Sequence, residues 1–344
     1  MVTVMEKIVE CVPNFSEGRN TDVIDAIAGA ARSVPGAHLL SAESDKDYNR
    51  TVVTLIGSPE AVVEAAFRAT RTAAELIDMR HHKGEHPRLG ATDVVPFVPV
   101  AGVSMEECVS LAHAYGKRVG GELRIPIYLY EDAATRPERK NLAAVRKGEY
   151  EGLPNKLKDP EWKPDYGPSE FNPKSGATVT GARMFLIAYN VNLSTPEAKV
   201  AQEIALRIRQ SGRVKKDAEG KPVLDERGKK VMIPGTLKAV KAMGVLLEAH
   251  NIAQVSINLV DFRVTPPHMA YEEVRKEALS LGVEVTGSEI VGLTPREALL
   301  VAGRAYAGGA EMDEDGLIDL AVERLGLEQL EPFDRKKKII EENL

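Results

Sequence analysis

The sequence predicts an α+β fold made of two related halves, each an antiparallel sheet with packed helices, and not a doubly wound dinucleotide-binding fold. Three observations predict it. Apolar runs of strand length alternate with amphipathic helical runs in the order strand, helix, strand, strand, helix, strand, a split β-α-β order that occurs twice. Both halves open a helix with a hydroxyl residue, a proline and a glutamate, at Ser58-Pro59-Glu60 and Thr195-Pro196-Glu197. The glycines match no Walker-type or dinucleotide fingerprint.

The elements follow in order. Ile8 to Val12 reads as a short buried strand, and Pro13 to Asn20 as a polar turn. Asn20 caps a helix whose apolar face is Ile24, Ile27, Ala31 and Val34, stopped by Pro35-Gly36. Strand patterns at His38–Ala42 and Thr51–Ile56 flank an acidic loop, 43–50. A helix from Pro59 to about Met79 leads into a histidine-rich loop. The strand Val94–Val100 comes next, then a helix opened by the capping box Ser104–Glu107 and a strand at Ile125–Leu129. Residues 131–182 are rich in proline and charge, and Pro164–Arg183 is expected to be irregular. The second half has strands at Phe185–Leu193, near Lys238–Leu247, at Ala253–Phe262 and at Val283–Val291. Its helices start near Thr195 and Ala270 and at a second capping box, Thr294–Glu297. Lys215–Lys230 reads as an exposed hairpin or loop. In the strand 253–262, Gln254, Ser256 and Asn258 make one face polar. The expected domains are 1–184, 185–331 and a charged surface tail, 332–344.

Composition narrows the function classes. The chain has 344 residues, enough for about two domains, with 43% apolar and 28% charged residues, which suits a globular protein. The formal net charge of -6 argues against a nucleic-acid partner. No apolar run approaches membrane-spanning length, and the mixed segment around Lys7 is unlike a signal peptide. Cys11 and Cys108 suit core positions in a reducing, cytoplasmic setting rather than a disulfide framework.

The stretch His81–Val100 is the strongest candidate for chemistry. It holds three of the seven histidines, with Lys83, Glu85, Arg88 and Asp93 close by. Gly84 interrupts a helix and Pro87 pushes His86 toward extended angles, so His86 is expected on a bent loop. An imidazole there can act as a general acid–base near neutral pH. A metal site from His81, His82 and His86 ranks lower, because the two glycine and proline breaks prevent one helical face and H-E-x-x-H is absent. A loop histidine bonded to backbone is the non-catalytic reading. Arg50 and Arg88, with Arg183 third, are candidates for binding carboxylates, against the alternative of ordinary surface pairing. Asn14, Ser16 and Glu17 could line a cleft, although spacing alone favours simple turn chemistry. Gly167–Gly176 could bring backbone against a flat ligand, or serve as a linker.

These stretches together resemble the glutamate formiminotransferase family. The residues that carry the resemblance are VECVPNFSEGRN (9–20), HKGEHPRLGATDVVPFVPV (82–100), RKGEYEGLPNKL (146–157), DYGPSEFNPKSGATVTGAR (165–183) and AQVSINLVDF (253–262). The family fold so implied is two tandem ferredoxin-like subdomains, helices outside, with a ligand groove between the sheets that Gln254, Ser256 and Asn258 would line. The implied reaction moves the formimino group of N-formimino-L-glutamate to N5 of tetrahydrofolate, as in histidine catabolism and one-carbon metabolism. The resemblance makes His86, in GEHPR, the catalytic residue. It makes Gly167, Pro168, Ser169, Glu170, Phe171, Asn172, Pro173, Lys174, Ser175 and Gly176 the folate segment, with Asn14, Ser16, Arg50 and Arg88 as further substrate contacts. Ser175 stands where mammalian relatives carry an aromatic residue, and the loop 43–47 departs from theirs. The match stops where the transferase part of the bifunctional enzyme would end, so no cyclodeaminase activity is expected. No metal, nucleic acid or membrane partner is expected, and a homodimer is. A folate carrier and a formimino hydrolase are the alternatives.

Overall fold

The computed structural model describes residues 7–343. Residues 1–6 and 344, the ends of the expected first and last segments, lie outside them. The chain divides into two compact units between Met184 and Phe185.

The first unit contains β1 (Ile8–Cys11), β2 (Asn14–Phe15), α1 (Thr21–Arg32), β3 (Ala37–Asp45), β4 (Arg50–Gly57), α2 (Pro59–Leu76), β5 (Thr92–Ala101), α3 (Met105–Arg118), β6 (Ile127–Glu131), α4 (Leu142–Arg146), α5 (Glu149–Lys156) and β7 (Thr178–Ala182). β1 and β2 are two pieces of one central strand, each paired antiparallel with β4 and with β5. β3 extends the sheet beyond β4. On the far side β7 lies between β5 and β6 and runs parallel to both.

The sheet is therefore mixed, which corrects the antiparallel expectation. The difference comes from the segment read as irregular. Near its end Thr178, Val179 and Thr180 are β-branched, and with Gly181 and Ala182 they are buried and satisfy their backbone groups as an interior strand. The acidic loop is also shorter than expected, because β3 and β4 run on to Asp45 and Arg50 and leave a four-residue turn.

Strand alternation sorts the first unit into two layers. Val9, Cys11, Phe15, Val53, Leu55, Val95, Phe97, Ile127 and Leu129 pack against α1, α2 and α3. The opposite face of β5, β6 and β7 is covered by α4, α5 and their flanks, through Val94, Tyr128, Tyr130, Val145, Leu153 and Val179. Asn20 caps α1 through two backbone N–H groups, and Ser104–Glu107 forms its capping box on α3.

The second unit contains β8 (Ile187–Leu193), α6 (Ala198–Ile208), β9 (Arg213–Val214), β10 (Met232–Ile233), β11 (Val240–Leu247), β12 (Ile252–Leu259), α7 (Pro267–Ser280), β13 (Val285–Val291), α8 (Arg296–Ala307), α9 (Glu314–Leu325) and α10 (Arg335–Lys338). Its main sheet is antiparallel throughout, in the order β11-β12-β8-β13. The segment Lys215–Lys230 is an exposed arm based on the β9–β10 pair. One face of the sheet carries a polar network. Gln254 Nε2 donates to Asn192 Oδ1 and to Glu289 Oε1, each at 2.8 Å, and Asn190 Nδ2 donates to the same Glu289 oxygen at 2.9 Å.

Two expectations for this unit are corrected. The second capping box does not form, and Thr294 Oγ1 is buried without a partner. Instead Glu341 Oε2 accepts from Arg296 N at 2.8 Å, so the chain's C-terminal segment caps α8. That segment is not a surface tail, since Ile339 and Ile340 are fully buried. It is also zipped to Thr294 through Thr294 N to Lys338 O (2.7 Å) and Ile340 N to Thr294 O (3.0 Å).

Candidate active site

Four pieces of the first unit converge at the start of β4: the turn after β2, the β3–β4 turn, the loop 77–91 and the segment around Arg146. Asn49 joins the first three. It sits at φ 48°, a left-handed conformation that asparagine tolerates. Its Oδ1 accepts from Gly18 N at 2.9 Å, and its Nδ2 donates to Lys83 O at 3.0 Å. Gly84 passes so close to the turn that a Cβ there would sit 2.2 Å from Tyr48 O, which explains a glycine at that place.

His86 is half-buried in the cleft so formed, with Tyr48 edge-on at 6.0 Å. Its Nδ1 lies 2.7 Å from Pro87 O, a partner that can only accept, so the proton is assigned to Nδ1. Arg50 Nη1 lies against both ring nitrogens, 2.6 Å from Nδ1 and nearer to Nε2, whose lone pair can then accept from it, and the other terminal nitrogen of Arg50 donates to Asn14 Oδ1. Asn14 is fixed in turn by its Nδ2 donating to Val12 O at 2.7 Å. Burial lowers the His86 pKa below its ordinary 6.5, and Arg50 and Arg146 push the same way, against Pro87 O and Asp93. The imidazole is thus neutral near pH 7, with a basic nitrogen turned to a cation.

Arg50 itself is pulled down to about 10 by burial, which Asp93 opposes, so it stays charged. Asp93 is the buried anion of the site. It accepts from Leu89 N at 2.9 Å and pairs with Arg146. Both Arg50 Nε and Arg146 Nε are buried without a partner. Buried N–H groups are rarely left unpaired, and Arg139 Nε, outside this cleft, is a third such case.

The other expected residues have visible partners. Ser16 spends its hydroxyl on Gly90 O at 2.7 Å. Glu17 accepts from Arg19 N and Asn20 N, which is turn chemistry. Arg88 is buried, and its guanidinium is shared between Glu149 (3.0 Å), Glu151 (2.6 and 2.8 Å) and His82 Nδ1 (3.2 Å). His82 donates from Nε2 to Asn49 O at 3.0 Å, so it is a neutral bridge in the loop wall, its pKa lowered first by burial. Among the described residues no group of three or more His, Cys, Asp or Glu is placed to hold a metal.

The segment Gly167–Gly176 splits in two. Its end docks on the histidine loop: Ala91 N donates to Ser175 O (2.9 Å), Ala177 N to Leu89 O (3.1 Å) and Met79 N to Lys174 O (2.9 Å). Asn172 Oδ1 holds the backbone N–H groups of Lys174 and Ser175. Phe171 packs on Tyr150, 5.5 Å between centroids. Gly176, at φ 67°, would place a Cβ 2.1 Å from Leu89 O. The beginning behaves differently. Gly167 lies against Gly120 and Ile125, and Ser169 and Glu170 are exposed.

Asn49 and Arg146 were not singled out from the sequence as site residues, and Asp93 was named in the histidine stretch without a role. Arg146 does lie in the RKGEYEGLPNKL stretch, but 53 positions separate it from Asp93. Only the tertiary fold brings them together.

The site thus joins a loop histidine, two unpartnered guanidinium nitrogens and one buried aspartate on an α+β fold. The chain belongs to the formiminotransferase domain family. Its N-terminal subdomain model matches residues 8–183, and the formiminotransferase domain model matches 188–344. It is 52% identical over 340 residues to formimidoyltransferase-cyclodeaminase of Rattus norvegicus, covering 98% of this chain and 60% of that one. It is 44% identical to glutamate formimidoyltransferase of Streptococcus pyogenes serotype M1, covering 99% of both. The enzyme of that name from Thermoplasma acidophilum is also 44% identical, covering 92% of this chain and 98% of the other. The chain thus spans about 60% of the length of the bifunctional animal relatives.

Proposed function

We propose that this chain is a glutamate formimidoyltransferase that moves the formimino group of N-formimino-L-glutamate to N5 of tetrahydrofolate, releasing L-glutamate. The observation that carries the reading is His86: a neutral imidazole, held by Pro87 O, beside two guanidinium groups with unpartnered nitrogens. Similarity to the Streptococcus and Thermoplasma enzymes along nearly their whole length supports it. The finer fold name, ferredoxin-like, is supported in the second unit by its strand order, β11-β12-β8-β13, which is the split β-α-β arrangement.

In this reading Arg50 turns from His86 to a substrate carboxylate, and the freed Nε2 of His86 accepts the proton from N5 as N5 bonds to the formimino carbon. It keeps that proton while the tetrahedral adduct exists. It then gives the proton to the glutamate nitrogen as the bond from the formimino carbon to that nitrogen breaks. One base that becomes the acid of the second step satisfies both transfers, and such catalysis contributes typically about 10²–10⁴-fold. Arg50 and Arg146 offer donors to the substrate carboxylates. Arg88, with its donors committed, holds the loop. The end of the 167–176 segment, from Phe171 to Gly176, lies against the histidine loop, where it can order the folate. The enzyme uses no metal and works in the cytoplasm as a homodimer.

The test mixes purified protein with formiminoglutamate and tetrahydrofolate, then follows the absorbance of the methenyl product after acidification. Product that needs both substrates supports the transfer. Glutamate release without tetrahydrofolate would support a hydrolase, and folate binding without turnover a carrier.

A further inference from the structure

The cavity beside His86 measures about 10 Å³, room for about one water. Its walls include Phe15, Arg50, Asp93 and Tyr48. A two-ring heterocycle is too large for that space and has to lie across its mouth. Among the described residues, Tyr48 is the one exposed member of the lining, at 49%, while Phe15 and Asp93 are buried. The Tyr48 and His86 rings stand 6.0 Å apart between centroids and nearly perpendicular, at 81°.

A single exposed aromatic ring is ordinary on a protein surface, but the backbone of this one is fixed from several sides. Asp45 Oδ1 accepts from Asp47 N and from Tyr48 N, each at 2.8 Å. Asn49, the next residue, ties the turn to Gly18 and Lys83. Gly84 packs against Tyr48 O, where a side chain would not fit. The other rings around the loop are committed. Phe15 is fully buried, and Phe171 and Tyr150 pack on each other, with Tyr150 Oη donating to Pro173 O at 2.5 Å. Tyr48 therefore offers the mouth of the cavity a flat apolar face on an anchored backbone.

We propose that the Tyr48 ring is the platform for the reduced pterin, which lies across the cavity mouth with N5 toward His86. The inference rests on the transferase reading and deepens it. Of the two co-substrates in that reading, formiminoglutamate is an aliphatic chain of polar and charged groups, and only tetrahydrofolate has rings to lay on a ring. Its pterin carries the reacting N5, so the pterin, and not the aminobenzoyl ring, comes next to His86. The pyrimidine half of the pterin stays planar after reduction, and a planar ring gains from an offset stack on an aromatic face. With the Tyr48 and His86 centroids 6.0 Å apart, one bicyclic molecule can touch both.

The experiment is calorimetric titration of the whole chain, without oxygen, as wild type, Tyr48→Phe and Tyr48→Ala. The ligands are tetrahydrofolate, p-aminobenzoylglutamate, which lacks the pterin, and formiminoglutamate. Tyr48 is exposed, so neither variant empties the core. Tyr48→Ala is expected to bind tetrahydrofolate roughly 10-fold more weakly, the loss of one stacked ring, and to bind the other two ligands as wild type does. Tyr48→Phe keeps the ring, and the phenol oxygen has no hydrogen-bond partner among the described residues, so this variant is expected to bind all three like wild type. Equal affinity of Tyr48→Ala and wild type for tetrahydrofolate overturns the proposal. A loss in Tyr48→Phe as large as that in Tyr48→Ala also overturns it, because the ring face would then not be what binds. So does an equal weakening of tetrahydrofolate and p-aminobenzoylglutamate in Tyr48→Ala, which would place the effect in the benzoyl ring or in the fold. Failure of wild type to bind tetrahydrofolate at all sinks the transferase reading itself, which is a separate outcome.

Discussion

Arg50 Nη1 lies against both ring nitrogens of His86, and its charge disfavours a second proton on the imidazole. Burial is the larger cause and Arg50 the next, and both lower the pKa below 6.5. In the proposed mechanism the neutral form is the base, so kcat/KM should rise with pH on its acid limb through an apparent pKa below that value. Arg50→Gln removes the opposing charge, and the limb should move upward toward 6.5 in a pH–rate profile. A limb that stays in place would mean that another group titrates there. The same depressed pKa values make His86 and His82 stabilising above pH 6.5, with that contribution lost as pH falls through the folded values.

Arg88 illustrates what one sequence can and cannot say. Its type and place were legible, but its partners Glu149 and Glu151 lie some 60 positions away and were not. With those partners half-exposed, Arg88→Ala should lower stability by about 1–3 kcal/mol in denaturant unfolding. A variant that unfolds like wild type yet loses formiminoglutamate binding would return Arg88 to the substrate.

Elements were legible where a local signal fixes them. The caps of α1 and α3, the proline at the start of α2 and the alternation in β12 all act over a few residues, and each element formed close to its expected place. β7 was not legible. A parallel interior strand has no hairpin partner nearby, and its five residues follow a glycine- and proline-rich stretch that resembles loop. The Thr294 box misled for a different reason: the C-terminal segment outcompetes the threonine for the α8 backbone. Glu341→Ala should therefore cost about 1 kcal/mol, whereas Thr294→Val should cost little, since its hydroxyl already lacks a partner. Equal losses in thermal unfolding would contradict that assignment. Gly176→Ala is the corresponding test of the proposed folate segment. Its left-handed backbone and a Cβ 2.1 Å from Leu89 O should undock the segment, and tetrahydrofolate affinity should fall.

At the scale of the whole molecule, the repeated strand and helix order gave two α+β units, and the long motifs gave the family. The extra strand made the first sheet mixed. The candidate site was legible as a list of residue types in one loop. Its arrangement was not, because Arg50, Asp93 and Arg146 are collected from β4, β5 and α4 by tertiary packing. No helix among the described residues is long and apolar enough to cross a membrane.

The central claim is that His86 moves the proton, and the direct measurement is the transfer rate of His86→Ala beside wild type at saturating formiminoglutamate and tetrahydrofolate. The account predicts a kcat lower by about 10²–10⁴-fold with tetrahydrofolate binding retained. Full transfer activity in the variant would contradict it.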